Sequence, residues 1–139
     1  LAGEYGRRLG VAYQIYDDLA DVFGREEDFG KTLGRDLAHG KVTLPTITLF
    51  SKLPLSESAS LLENLRNTAS LPGSGLIREI RELLRRYDVL ADCRLRLEDE
   101  LMATGAILAE LKDASMASRL DDLRRAILSR LKSLGDIDP

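Results

Sequence analysis

The eight residues QIYDDLAD, Gln14 to Asp21, place three aspartates and an amide in a segment that otherwise has the pattern of a helix. Apolar residues recur at positions 9, 12, 15, 19 and 22, and this period of about 3.6 residues predicts a helix over 1–23 that ends at Gly24. At about 100° per residue, Gln14 and the aspartates share one sector, and the apolar side chains occupy the sector beside it. One face of the predicted helix therefore packs, and the adjacent face is acidic.

The acidic face opposes the stability of the helix. Asp17 and Asp21 are like charges four residues apart, and Asp21 lies in the last turn, where the helix dipole is already negative. A solvated face paired with nearby arginines is one interpretation of this pattern, and a cation site is the other. Aspartate is a poorer helix former than glutamate, so its use favours the cation site. Carboxylates hold Mg²⁺ through one or two ligands and leave its other positions to water and phosphate, whose charge lysines can neutralise.

The rest of the chain predicts further helices around one glycine-rich stretch. Glycines at 24, 30, 34 and 40 are interleaved with charged residues over 24–41, which indicates a loop with one helical turn. Pro45 suits the first turn of a helix over 44–52. Apolar residues at helical spacing predict four more helices: a short one after a Ser56 cap, one over 77–87, one from an Asp88 cap to about 111, and one over 116–134. No segment alternates with period 2, so the predicted class is all-α.

Composition limits the classes of protein to which this chain can belong. Its 139 residues are 44% hydrophobic, enough for one core, and the net charge of -3 without a basic stripe argues against a nucleic-acid partner. A single cysteine, Cys93, leaves no internal disulfide and favours a reducing, cytoplasmic setting. No run approaches the ~20 apolar residues of a membrane span. His39, the one histidine, has no cysteine or histidine partner at metal-site spacing and is interpreted as an ordinary loop residue.

The stretch GVAYQIYDDLADVFGREEDFGKTLGRDLAHGKVTLP, Gly10 to Pro45, resembles the second aspartate-rich region of the trans-isoprenyl diphosphate synthases, or polyprenyl synthetases. The family pattern has an aromatic-Gln pair, DDxxD, a GK, a GxD, a second GK and a Thr-x-Pro turn. All of these occur in order: Tyr13-Gln14, Asp17-Asp18-Asp21, Gly30-Lys31, Gly34-Asp36, Gly40-Lys41 and Thr43-Pro45. The resemblance implies an all-α isoprenoid-synthase bundle, with residues 1–139 as the C-terminal portion of a single domain.

Family members carry two aspartate-rich motifs on facing helices, and only the second has a counterpart here. Asp121-Asp122 has no third acid in register and is interpreted as surface charge. Leu1 already belongs to the helical pattern without a capping residue before it, which predicts a truncated or cleaved chain. We therefore expect this chain alone to lack half of the active site and to turn over no isopentenyl diphosphate.

The resemblance implies Mg²⁺-dependent prenyl transfer, in which an allylic diphosphate loses its diphosphate and the allylic cation is attacked by the double bond of isopentenyl diphosphate. It assigns the Mg²⁺ site to the three motif aspartates, Asp17, Asp18 and Asp21, with Asp17 as the most direct ligand. It assigns contacts with the allylic diphosphate to Lys31 and Lys41. Gln14 would lie beside that diphosphate and steer its geometry, and Tyr13 would line the cavity near the reacting carbons.

Two other interpretations of the sequence stay open. The chain could be a non-catalytic subunit that depends on a partner, although such a subunit has no reason to keep the aspartates and both lysines. It could also be a terpene cyclase relative, although the Asn/Ser/Glu second metal motif of those proteins is missing from the sequence. The resemblance further implies a homodimer for the full-length protein. Product length is set in the family largely upstream of the first acidic motif, so this sequence does not define it.

Overall fold

The computed structural model describes residues 1–24, 35–67 and 74–134, and within these ranges the chain is helical without a strand. The helices are α1 Ala2–Phe23, α2 Arg35–Ala38, α3 Leu44–Lys52, α4 Leu55–Asn67, α5 Ser74–Arg86, α6 Val89–Ala109 and α7 Ala114–Ser133. This architecture confirms the predicted all-α class. Among the described residues, no helix combines the length and apolar character that a membrane crossing requires.

Helix α1 lies at the centre of the packing. Its Ala12 and Leu19 are fully buried, and α1 packs chiefly along α6, with further contacts to α3, α7 and α2. Leu97 and Leu101 of α6 are buried in the same core as these α1 residues. Burial of these apolar side chains, each worth about 1.5–3 kcal/mol, fixes the rotation of α1 about its axis. The acidic face beside the buried stripe is therefore held toward α2 and the start of α3.

Polar interactions hold the N-terminal half of α1 in place. The Tyr5 hydroxyl donates a hydrogen bond to the backbone carbonyl of Leu120 in α7. Arg8 pairs with Glu4 of its own helix at 2.8 Å and with Glu100 of α6 at 3.0 Å. Burial raises the pKa of Tyr5 above its ordinary value, and the nearby Asp121 charge adds to the effect. Since these partners belong to both α6 and α7, they restrict sliding of α1 along its neighbours.

Two further contacts join α3 to α6. Cys93 of α6 is 1% exposed, and its Sγ donates to the hydroxyl of Thr48 at 3.6 Å. Burial raises the pKa of Cys93, as expected for an unreactive core thiol. At the end of α3, the Lys52 ammonium pairs with Asp92 at 2.7 Å and donates to the Tyr87 carbonyl at 2.8 Å. These contacts fix α3, whose first turn adjoins the acidic face of α1.

Most predicted helix ends agree with the structure, and two predicted caps are wrong. Helix α1 ends before Gly24, and Pro45 lies in the first turn of α3, as predicted. Asp88 precedes α6 but has φ 48° and ψ 44°, and its side chain makes no capping hydrogen bond. A side-chain cap needs extended backbone, which this left-handed conformation does not provide. Ser56 lies inside α4, because the carbonyl of Pro54 already accepts a hydrogen bond from the Ser58 amide at 2.9 Å.

Candidate functional site

An open pocket lies between the acidic face of α1 and the segment from α2 to α3. It has a volume of about 430 Å³ and is lined by Asp17, Asp21, Arg35, Asp36, His39 and Lys41. Helix α2 packs against α1, which brings the segment over the last turns of α1. The pocket therefore combines three carboxylates with an arginine and a lysine, a composition suited to a cation together with an anionic ligand.

Hydrogen bonds through Asp36 connect the acidic face to the lysine. The backbone amide of Asp36 donates to Oδ2 of Asp21 at 3.0 Å, and the Lys41 ammonium donates to Oδ2 of Asp36 at 3.1 Å. The Lys41 amide also donates to the Asp36 carbonyl at 2.9 Å. The hydrogen bond with Asp36 raises the pKa of Lys41, and the charges of Asp36, Asp18 and Asp17 act in the same direction. Lys41 is thus a fixed positive charge near neutral pH.

Asp18 does not line this pocket and bonds instead to the first turn of α3. It is 7% exposed, and its Oδ1 accepts a hydrogen bond from the Gln14 side-chain amide at 2.8 Å. Its Oδ2 accepts a long bond of 3.4 Å from the backbone amide of Leu44. A carboxylate at a helix N-terminus satisfies an amide that has no partner within the helix and interacts favourably with the helix dipole. The structure therefore gives Asp18 and Gln14 a role in joining α1 to α3, and their predicted ligand contacts stay predictions.

Tyr13 lies one turn before Asp17 and is 54% exposed. It lines a second pocket, of about 470 Å³, between α1 and α7, together with Gly6, Gly10 and the α7 side chains Leu123, Ala126, Ile127 and Arg130. A Cβ added at Gly6 or Gly10 would meet no atom within 4 Å, so this side of α1 is open. The structure thus places Tyr13 on a largely apolar wall that continues along α1 from the acidic pocket.

The segment before α3 includes one residue whose predicted role stays untested and others whose place in the pocket the sequence did not reveal. Lys31 lies outside the described residues, so its contact with diphosphate stays a prediction. The sequence indicates an ordinary loop residue at His39, but in the structure His39 lines the pocket. Its Nδ1 lies 2.7 Å from the Arg35 carbonyl, which can only accept, so Nδ1 carries the hydrogen. Asp36 belongs to the GxD element of the motif, and that spacing was the available signal for its place in the site.

The model of the family described as polyprenyl synthetase matches residues 1–81, more than half of this chain. This chain belongs to the polyprenyl synthetase family. The matched range covers α1, the pocket segment and helices α3 and α4. It therefore includes every described residue that lines the pocket on the acidic face.

Several curated relatives in this family are prenyl diphosphate synthases by name. The octaprenyl diphosphate synthase of Escherichia coli is 33% identical over 130 residues, which are 91% of this chain and 38% of that protein. The geranylgeranyl diphosphate synthase of Methanosarcina mazei is 36% identical over 103 residues, 65% of this chain and 32% of that protein. A short chain isoprenyl diphosphate synthase of Methanothermobacter thermautotrophicus is 37% identical over 87 residues, 60% and 25% of the two chains. This polyprenyl synthetase chain thus spans 25–38% of the length of these relatives. No solved structure matches it.

The donor atoms in the pocket of this polyprenyl synthetase suit a metal ion that takes some of its ligands from a bound phosphate. Within 1–24, 35–67 and 74–134, no group of three or more acidic, histidine or cysteine side chains is arranged to hold a metal ion by itself. Asp17 and Asp21 bring two carboxylates to the pocket, and one oxygen of Asp21 is already bonded to Asp36. Mg²⁺ is commonly held by one or two carboxylates, with water and substrate phosphates filling the other positions. The residues present therefore fit Mg²⁺ bound together with a phosphate ligand.

Proposed function

We propose that this chain supplies one side of an active site for Mg²⁺-dependent prenyl transfer, in which an allylic diphosphate condenses with isopentenyl diphosphate. The observation that carries the proposal is the pocket that Asp17, Asp21 and Lys41 line together. The relatives are named as prenyl diphosphate synthases, which supports the same reaction class. Because the chain spans 25–38% of their length, the activity is proposed for the full-length protein.

In the proposed mechanism, Asp17 and Asp21 would hold Mg²⁺ in the pocket. The bound ion would supply positive charge for the oxygen that gains electron density as the allylic carbon-oxygen bond breaks. Lys41 would contribute a second positive charge to the diphosphate, because its ammonium is protonated at neutral pH and has three donors. Lys31 would act in the same way from the first GK element. Loss of a proton after attack by the isopentenyl double bond then completes a product that is one isoprene unit longer.

Other side chains would assist without forming bonds to the reacting atoms. Tyr13 would extend an apolar wall from the acidic pocket and help to keep water from the allylic cation, since its ring lies one turn before Asp17. Gln14 would act through Asp18, whose carboxylate it holds at 2.8 Å. Asp18 bonds to Gln14 and Leu44 and does not line the pocket, whereas Asp17 lines it directly. Asp17 is therefore the aspartate whose loss tests the proposal most directly.

The test replaces Asp17 by asparagine in the full-length protein. We expect turnover of isopentenyl diphosphate with dimethylallyl, geranyl and farnesyl diphosphates to fall at least ~10²-fold, equivalent to roughly 2.7 kcal/mol of lost transition-state stabilisation. Thermal unfolding without Mg²⁺ is measured in parallel, so that a loss of turnover is separated from a loss of folding. The matched control is Asp92→Asn, which removes a carboxylate that pairs with Lys52 outside the pocket.

The outcomes separate the proposal from its alternatives. Near-parental turnover of Asp17→Asn at saturating Mg²⁺ would show that Asp17 is surface charge. A full-length parent that binds geranyl diphosphate in the presence of Mg²⁺ but forms no product alone would instead favour a partner-dependent subunit. Formation of a cyclised hydrocarbon from geranyl or farnesyl diphosphate alone would favour a terpene cyclase.

A further inference from the structure

Asp36 makes two different contacts through two different groups. Its backbone amide donates to Asp21 of α1 at 3.0 Å, and its side-chain carboxylate accepts from the Lys41 ammonium at 3.1 Å. The side chain of Asp36 is 23% exposed, and that of Lys41 is 51% exposed. Asp36 therefore lies between the acidic face of α1 and a lysine that has ample room to adopt other rotamers.

A free lysine loses much rotamer freedom when it becomes fixed on a ligand. The contact with Asp36 restricts the Lys41 side chain before any ligand is present. Lysine has three ammonium donors, and Asp36 takes one, so two stay available for the oxygens of a diphosphate. The ion pair can therefore persist while the ligand binds, and the entropy cost of ordering Lys41 is reduced in advance.

We propose that Asp36 is a positioning residue that holds the Lys41 ammonium beside the carboxylates of α1, ready to bind a diphosphate. The inference deepens the proposed function and rests on it, since it assigns Lys41 to diphosphate binding. Asp36 does not touch the reacting carbons and acts only through Lys41. Its effect on ligand affinity therefore disappears when Lys41 is absent.

The experiment is a double-mutant cycle on Asp36 and Lys41, with magnesium pyrophosphate as the probe. Asp36→Asn keeps the backbone amide that bonds to Asp21 and removes only the charged acceptor of Lys41. Calorimetric titration of the full-length protein should show that Asp36→Asn weakens binding about threefold, the range of a partly exposed ion pair. Lys41→Ala should weaken binding by about tenfold, and the double variant should bind as Lys41→Ala does. Asp92→Asn, which breaks the Lys52 pair on α6, should bind like the parent.

Two results would overturn the inference. In the first, the effects of Asp36→Asn and Lys41→Ala multiply in the double variant, which shows that Asp36 acts independently of the lysine. In the second, Asp36→Asn binds as tightly as the parent, which shows that the ion pair does not aid binding, or more tightly, which shows that the carboxylate competes with the ligand.

A ligand-free measurement keeps this inference distinct from the proposed function. The ¹H–¹⁵N signal of the Lys41 ammonium at low temperature should be protected from exchange in the parent and in Asp92→Asn, and lost in Asp36→Asn. An equally protected signal in Asp36→Asn would overturn the positioning role whether or not pyrophosphate binds. A full-length parent that shows the protected signal but binds no magnesium pyrophosphate would count against the proposed function and leave only the unliganded ion pair.

Discussion

Asp17 and Asp18 are adjacent in the sequence, but they lie in different surroundings. Asp17 is partly exposed in the acidic pocket, whereas Asp18 is 7% exposed and bonded to Gln14 and Leu44. The 100° rotation between neighbouring helical residues is enough to separate the two carboxylates. A spacing such as DDxxD therefore predicts a site but does not show which of its aspartates lines the pocket and which bonds to a neighbouring helix.

A pH-dependent effect is expected at the start of α1. The hydrogen bond from Arg7, with smaller contributions from the Arg7 charge and from Arg8, lowers the pKa of Glu4 from 4.5 to about 2. A carboxylate with a lowered folded-state pKa stabilises the fold above its ordinary pKa, and this contribution is lost as the pH falls from 4.5 toward 2. The parent should therefore lose more thermal stability across this range than Glu4→Gln.

The measurement is the melting temperature of both proteins at several pH values. Both partners of the Glu4 pair are largely exposed, so the difference should be small and should shrink with added salt. Glu98→Gln, at an exposed position of α6, serves as the control. Parallel melting profiles for the parent and Glu4→Gln across the acid range would contradict this prediction.

At the level of elements, the junction of α1 and α3 depends on Asp18. Asp18→Ala leaves the Gln14 side-chain amide and the Leu44 backbone amide without their acceptor, so we expect a loss of about 1–3 kcal/mol in the free energy of unfolding. Urea denaturation of the chain measures this value. Asp122→Ala, at an exposed site on α7, should stay within about 0.5 kcal/mol of the parent. Equal stabilities of the two variants would show that the junction is held by apolar packing alone.

Helix positions were predictable from the sequence because their cause is local. Apolar residues with a period of 3.6 indicate which stripe packs, and α1, α3 and the buried residues of α6 follow that pattern. The caps assigned to Ser56 and Asp88 were wrong, because capping depends on backbone conformation as well as residue type.

The candidate site was predictable only in part. The residues of the pocket on α1, Asp17 and Asp21, share a helix face, and this is a property of one element. Arg35 and His39 join them only through the path of the chain after α1, and no periodicity encodes that path. The burial of Asp18 has the same origin, because it depends on where α3 begins relative to α1.

The whole described molecule exposes apolar side chains around a third pocket, of about 420 Å³, between α3, α4 and α5. Val42 is 75% exposed, Ile47 is 55% exposed and Leu62 is 41% exposed. Neighbouring exposed apolar side chains are typical of association surfaces. We therefore expect the 139-residue chain to self-associate at micromolar concentration through this face.

Sedimentation velocity over a concentration series tests this expectation. Ile47→Lys should increase the monomer fraction, because it places a charge on the apolar face. Met116→Lys is the control, since Met116 is 49% exposed on α7 and does not line this pocket. A parent that sediments as a monomer throughout the series would show that the exposed side chains do not drive association.

The buried thiol between α3 and α6 makes the chain its own chemical reporter. Cys93 is the one cysteine in the sequence, it is 1% exposed, and burial raises its pKa. Only an accessible thiolate attacks a disulfide reagent. Because Cys93 is buried and bonded to Thr48, labelling requires that α3 separate from α6. The labelling rate therefore counts openings of the core, and its urea dependence distinguishes local separation of these helices from global unfolding. The rate of local opening can therefore be measured without introducing another cysteine.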